Sequence, residues 1–170
     1  MSLVSLRPVA AADAPALIAA NIASRGLHAP WVRPFTDQAG FDAWFDLLDN
    51  GGNFSLLALR ADELIGVINF SQIALGNFRS AYCGFYGYAP FAGAGLMTVA
   101  LRLAAEHAFT KLGLHRIEAN IQPGNTRSLA LVRRVGFRRE GFSPAYLNID
   151  GVWRDHERWA LLAAYLQSTV

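Results

Sequence analysis

The sequence predicts a mixed α/β fold, with about seven strands and four helices around a mixed sheet. Three observations predict it. Apolar residues fill 53% of the 170 positions and charged residues 16%, which supports a sizeable core and excludes a disordered chain. The window at residues 41–48 carries a helical apolar period, while shorter apolar runs bounded by turn residues carry strand character. A strand–helix–strand crossover falls in mid-chain, so the order is βααβββαβαββ and the length fits one domain, residues 1–170.

Residues 3–7 alternate as a first strand. Asp13 is placed to cap a helix running to about Ser24, with Pro15 in its first turn and Gly26 past its end. Residues 27–35 contain Pro30, Trp31, Pro34 and Phe35 and form an ordered loop. Thr36 or Asp37 then caps a second helix. Its Phe41, Trp44, Phe45 and Leu48 share one face, Asp42, Asp46 and Asp49 the other, and Gly51-Gly52 ends it. Residues 54–59 and 64–73 make an antiparallel pair around Ala61-Asp62-Glu63, and residues 79–88 a fourth strand. A third helix spans residues 95–111 and stops at Gly113, and a fifth strand follows at 114–121. Asn125 opens a fourth helix that runs to Arg134, before Gly136. Residues 137–152 and beyond form a final pair of strands that turns at Asp150-Gly151, a strong hairpin dipeptide.

Fifteen Lys and Arg against thirteen Asp and Glu leave +2, too little to indicate a nucleic-acid binder. The single cysteine, Cys83, excludes a disulfide framework and a thiolate-rich metal site. Residues 80–101 carry no charge, but Gly84, Gly87, Pro90, Gly93 and Gly95 interrupt them. That stretch is a strand, a turn and a helix start, not a membrane span. Arg7 and Asp13 interrupt the start with no basic region ahead of an apolar core, so no secretory leader and a cytoplasmic compartment are expected. His28, His107 and His115 lack metal-ligand spacing and are expected to be structural; no metal is expected.

Between the fourth strand and third helix stands Ala92-Gly93-Ala94-Gly95-Leu96-Met97-Thr98. A strand feeding a glycine turn into a helix exposes backbone N–H groups at the positive end of the helix dipole, so a phosphate or pyrophosphate is the expected ligand. A dinucleotide fingerprint needs glycine where Thr98 stands, within a parallel sheet, and the phosphate-loop ending Gly-Lys-Ser/Thr is missing. A plain tight turn for packing is the competing reading.

The turn, its place after the long fourth strand, and Asn125 downstream together resemble the GNAT superfamily of acetyl-CoA-dependent N-acetyltransferases. The segments Leu114-His115-Arg116-Ile117-Glu118-Ala119-Asn120, Pro123-Gly124-Asn125-Thr126-Arg127-Ser128, Gly136-Phe137-Arg138-Arg139-Glu140-Gly141 and Gly151-Val152-Trp153-Arg154-Asp155-His156 resemble its RimJ/RimL branch, which acetylates N-terminal residues of ribosomal proteins. The resemblance implies a GNAT-type fold with splayed central strands, and acetyl-CoA as cosubstrate with its pyrophosphate wrapped by residues 92–97. Gly95 matches the family's Arg/Gln-x-x-Gly-x-Gly/Ala turn and Gly93 a common extra glycine within it; Ala92 stands in place of Arg or Gln, and Met97 in place of the small final residue. It implies further that Phe85, Tyr86 and Gly87 receive the pantetheine and thioester and that Asn125 contacts the pantetheine arm. Ser128 is implied to assist the departing thiolate, since Val132 stands where many members carry tyrosine.

Residue chemistry supplies other roles beside these. Asn125 is also a helix N-cap, and Ser128 a residue able to bond back to its own helix. Glu118, the acid of the fifth strand with Asn120 on its face, is the expected proton acceptor for the amine. Asp155 and His156 are the runners-up, and a structural carboxylate is the alternative. Arg127, Arg133, Arg134, Arg138 and Arg139 against Glu140 leave +4 over residues 125–140, suited to the CoA 3′-phosphate, a ribosomal surface or plain solvation. Trp31, Arg33 and Phe35 in the loop, with Tyr146 and Trp153 from the final hairpin, are candidate walls of the acceptor groove; ordinary packing is the alternative for the aromatics. Deprotonation at pH 7 costs an α-amine about 1 kcal/mol and a lysine about 4.6. The expected acceptor is therefore a protein N-terminus, ribosomal if the resemblance holds. A small amine (polyamine, amino acid or antibiotic) and a catalytically silent CoA-binding module are the alternatives. No DNA or membrane partner is expected, and both monomer and homodimer stay open.

Overall fold

The computed structural model describes residues 4–50 and 52–167, so Leu3, Gly51 and the side chain of Asp49 lie outside the described residues. The strands β1 (Val4–Pro8), β2 (Phe54–Arg60), β3 (Glu63–Ala74), β4 (Ser80–Gly87), β5 (Arg116–Ile121), β6 (Arg138–Ile149) and β7 (Val152–Leu162) form one sheet. Their order is β1-β2-β3-β4-β5-β7-β6. Four helices carry the expected positions: α1 (Ala14–Ala23), α3 (Gln38–Asp49), α4 (Leu96–Thr110) and α5 (Thr126–Val135); α2 (Arg25–His28) and α6 (Ala163–Gln167) are short additions. Strand and helix order agree with the sequence reading.

The sheet is covered on both faces. Leu56, Ile68, Phe70 and Ile117 pack with Leu101, Ala104 and Leu129 of α4 and α5. Leu57, Val67 and Tyr86 pack on the other face with Leu17 of α1 and Phe41 of α3. The α3 prediction holds in detail, because Asp37 caps it by accepting the Gly40 N–H at 2.8 Å. Asp13 departs from its expected role. It precedes α1, but its carboxylate accepts the Ala10 N–H at 2.7 Å and pairs with Arg7 at 2.6 Å, so it fastens the preceding turn to β1 instead. The segment after Ser24 departs too. The buried Ser24 hydroxyl accepts the Ala89 N–H at 3.0 Å, and its carbonyl takes the Leu27 and His28 N–H groups. The chain therefore bends and winds one more turn, which delivers His28 to the end of β4.

The feature that builds the site is a divergence inside the sheet. β4 and β5 are its parallel neighbours, and they pair only at Ser80↔Arg116, Ala81↔Ile117 and Tyr82↔Glu118. β4 continues against β3 up to Gly66↔Gly87, while β5 continues against β7 up to Ile121↔Glu157. Beyond Tyr82 the strands splay, and the facing edge of β4 loses its sheet partner. Such an edge keeps N–H and C=O groups that need other partners.

Candidate active site

A cavity of about 1000 Å³ fills the splay. Residues 83–87 of β4 and 119–121 of β5, with Gln122 just after it, form its walls, and the first turns of α4 and α5 close one end. The expected pantetheine-binding residues Phe85, Tyr86 and Gly87 all line it, as do Asn125 and Ser128. Asn125 caps α5 by accepting the Ser128 N–H at 3.2 Å, so its structural role is realised and places Ser128 at the cavity's edge. Val132 is fully buried in the core.

The glycine turn takes its shape from Gly93 (φ 80°) and Gly95 (φ 76°), both in the left-handed region that side-chain-bearing residues resist. No side chain caps α4. Thr98 and Val99 donate to the Gly95 carbonyl, so the N–H groups ahead of them are the ones a helix start leaves without internal acceptors. These point to where the positive end of the α4 dipole favours an anion. Ala92, Gly93, Gly95, Leu96 and Met97 line the cavity. Ala94 differs, because its N–H turns to the Phe91 carbonyl at 3.4 Å.

The basic run of residues 127–139, on α5 and the start of β6, separates into distinct contacts. Arg134 donates from Nε and Nη2 to Thr98 Oγ1 at 3.3 Å, which sets its guanidinium on the first turn of α4. Arg134 and Arg127 both line the cavity. Arg133 lies over Trp159, Arg138 over Tyr165, and Arg139 pairs with Glu157 at 3.3 Å. The run is thus two cavity arginines, two arginines stacked on rings and one ion-paired arginine.

Glu118 is held elsewhere. Its Oε1 accepts from Arg116 Nε at 2.7 Å, and the same guanidinium pairs with Glu140. Glu118 lines a separate cavity of about 190 Å³ with Tyr82 and Phe78. Arg116 pushes the Glu140 carboxyl below its ordinary range. The Tyr82 phenol is raised by its hydrogen bond to Tyr146 and then by burial and the nearby Glu118 charge.

Of the expected acceptor walls, Trp31 lines the cavity, with its ring over Gly124, where an added Cβ would come within 3.1 Å of it. Arg33 is exposed and pairs with Asp150 at 2.7 Å, linking the loop to the tip of the β6–β7 hairpin. Phe35 packs edge-on against Phe41, with ring centroids 5.4 Å apart, and beside Trp44; it belongs to the core face of α3, the alternative reading for it. Tyr146 stands 6.2 Å from the His156 ring, and Trp153 is 62% exposed.

Two histidines enter the lining that the primary expectation did not include. His28 donates from Nε2 to the Gly87 carbonyl at 2.8 Å, and burial pushes its imidazole toward the neutral form. Its sequence context, a proline-bounded loop, gave no sign of this. His156, a runner-up for the proton acceptor, is buried on β7. Among the described residues no His, Cys, Asp and Glu cluster is placed to hold a metal ion, and no described helix is long and apolar enough to cross a membrane.

The profile described as "Acetyltransferase (GNAT) domain" matches residues 4–138. The [ribosomal protein uS5]-alanine N-acetyltransferase of Escherichia coli is 43% identical over 108 residues, 64% of this chain and 56% of that protein. The probable N-acetyltransferase YjcK of Bacillus subtilis is 37% identical over 114 residues, 67% of this chain and 63% of its own. The matched segments thus span about six tenths of these curated relatives' length. Mycobacterium smegmatis RimJ, solved in complex with CoA-disulfide, superposes with a TM-score of 0.86 at 33% identity, covering 96% of this chain and 83% of that one. Vibrio cholerae spermidine N-acetyltransferase, in complex with CoA and spermine, shares the fold at a TM-score of 0.84 and 20% identity, over 98% of this chain and 99% of that one. The splayed strands, the uncapped glycine turn and these matches lead to one assignment: the chain belongs to the GNAT family of acetyltransferases, enzymes that use acetyl-CoA.

Proposed function

We propose that the protein transfers the acetyl group of acetyl-CoA, by direct attack in a ternary complex, to the N-terminal α-amine of a polypeptide whose first residue is small. One observation carries the choice of acceptor. The described lining of the large cavity includes no Asp or Glu, and its arginines, Arg127 and Arg134, stand at the α4–α5 end. A polyamine brings further ammonium groups that need carboxylates when desolvated. A chain starting with Ala or Ser brings one amine and a neutral body. The neutral amine is also about 400-fold more abundant for an α-amine than for a lysine at equal concentration and pH 7. The relative named as a ribosomal-protein-alanine acetyltransferase supports this choice.

In this reading the pyrophosphate rests on the first turn of α4, and the pantetheine follows the free edge of β4. The N–H groups of that edge hold the thioester oxygen as charge develops on it, an effect of roughly 3–4 kcal/mol for preorganised donors. Ser128 lies one turn into α5, beside the path of the sulfur. The test is one peptide carrying both a free Ala or Ser N-terminus and an internal lysine, incubated with acetyl-CoA and read by mass spectrometry. Acetyl on the α-amine alone is expected. Acetyl on lysine alone refutes the reading, and turnover of spermidine in place of the peptide establishes the small-amine alternative.

Arg134 supplies, from α5, the cation that Ala92 does not supply from the turn. Arg134→Ala is expected to weaken acetyl-CoA about tenfold, the size of one charge-assisted hydrogen bond. Ala92→Arg in that background should restore most of the loss. Isothermal titration with CoA and 3′-dephospho-CoA checks the contact: an equal loss for both places Arg134 on the pyrophosphate, and a loss for CoA alone places it on the 3′-phosphate.

A further inference from the structure

We propose that His156 is a catalytic residue, the group that takes the proton from the acceptor amine. The assignment rests on the acetyltransferase reading but not on which amine is acetylated. His156 is 3% exposed and lines the large cavity from β7. Its Nδ1 lies 2.9 Å from the Arg154 carbonyl. A carbonyl only accepts, so Nδ1 carries the hydrogen and Nε2 keeps the lone pair. Glu118 is occupied by Arg116 and lines the other cavity; the large one contains no carboxylate among its described lining residues. An imidazole with a fixed tautomer is the basic group that this lining offers.

The charged and titratable groups around it are few. Arg154 and Arg158 flank it on its own strand, two residues away in each direction. Tyr146 faces it from β6 and leads to Tyr82 on β4. His28 and Arg127 line the cavity from α2 and α5. His28 differs from His156 in presenting a nitrogen sealed from the cavity, since its unpartnered Nδ1 is buried and its Nε2 is bonded to Gly87.

The chemistry balances with these groups. The ammonium of the acceptor gives one proton to Nε2, and the freed lone pair attacks the thioester carbon while the C=O π pair moves onto oxygen. Collapse re-forms the carbonyl and breaks the C–S bond, and the thiolate takes the second amine proton to leave as the CoA thiol. The imidazolium then returns its proton to water, so the ring is unchanged after a turnover.

His156→Asn is the discriminating variant, because the Asn amide can still donate to the Arg154 carbonyl while no base remains. It is measured across pH with the Ala- or Ser-starting peptide as acceptor, or with spermidine where the native chain turns that over instead, and with His156→Gln beside it. The expected result is a loss of kcat/KM of about 100-fold near neutral pH, narrowing once the solution pH exceeds the amine's own pKa. Added imidazole should restore part of the rate, while melting temperature and acetyl-CoA affinity stay unchanged. A loss that is equal at every pH and insensitive to imidazole overturns the assignment, as does full activity. A pH-dependent loss in Glu118→Gln with none in His156→Asn gives the role to Glu118. A native chain that binds acetyl-CoA yet acetylates no amine overturns the transferase reading itself, and this assignment with it.

Discussion

Gly95→Asp is expected to abolish the rise in melting temperature that acetyl-CoA should give the native chain. A ligand at 100 times its Kd stabilises by roughly 2.7 kcal/mol, which for a chain of this size raises Tm by about 5–10 °C. Gly95 is the N-cap of α4 at φ 76° and lies on the cavity wall, with open space around an added Cβ. Asp there sets a carboxylate beside the helix start where the pyrophosphate is expected, so two anions compete for one set of N–H groups. The apo protein loses less, because an acid near a helix N-terminus is itself favourable and offsets part of the backbone strain. Gly95→Ala separates the two effects. It carries the same left-handed strain, about 1 kcal/mol or more, without the charge, so its Tm falls while the acetyl-CoA shift persists. Differential scanning fluorimetry of the three proteins with and without acetyl-CoA decides the matter, with NADH as a ligand expected to give no shift. A full shift in Gly95→Asp would remove the turn from the binding site.

What the sequence made legible was local. The face of Phe41, Trp44 and Phe45 and the cap at Asp37 are set within a few residues, and they appear as expected. The hairpin turn is equally local, with Asp150 at φ 56° and Gly151 at φ 79°. The turn at Gly93 and Gly95 was legible because only a left-handed backbone needs glycine there. The divergence of β4 from β5 has no local signature, since it depends on where a three-pair register stops; only the family resemblance implied it. The ion pairs of Glu118 were legible only in part: Arg116 sits two residues away on the same face, but Glu140, which shares that guanidinium, comes from another strand. His156 meets Tyr146 across β6, whose register shifts between Ser143 and Leu147. Alternation along a strand cannot pass through such a shift, so their meeting was illegible.

Met97 shows how a departure from a family pattern is absorbed. The family turn ends in a small residue, and this chain has methionine. Its side chain lies flat on Gly66 and Gly87, which are paired directly across β3 and β4. The missing side chains on the strands make room for the large one on the helix, and the contact seats the start of α4 on the end of β4. Gly66→Ala tests this. The new Cβ would overlap the Met97 sulfur and come within 2.7 Å of the Tyr86 carbonyl oxygen. The thioether is flexible and can retreat, but the carbonyl belongs to the strand that lines the site. Overpacking of this kind costs roughly 1–3 kcal/mol, or about 3–10 °C in Tm, and it pushes α4 off β4, so acetyl-CoA should bind about tenfold more weakly or worse. Adding Met97→Ala removes the sulfur's share and leaves the carbonyl's, so the double variant should recover part of both losses, a coupling that only touching residues give. Additive losses, or a Gly66→Ala protein with native Tm and native affinity, would show that the helix start is seated by other contacts. Gly87→Ala gives the converse result, because its Cβ would meet Met97 Cγ at 3.0 Å, near the root of the side chain. There Met97→Ala should relieve nearly the whole penalty.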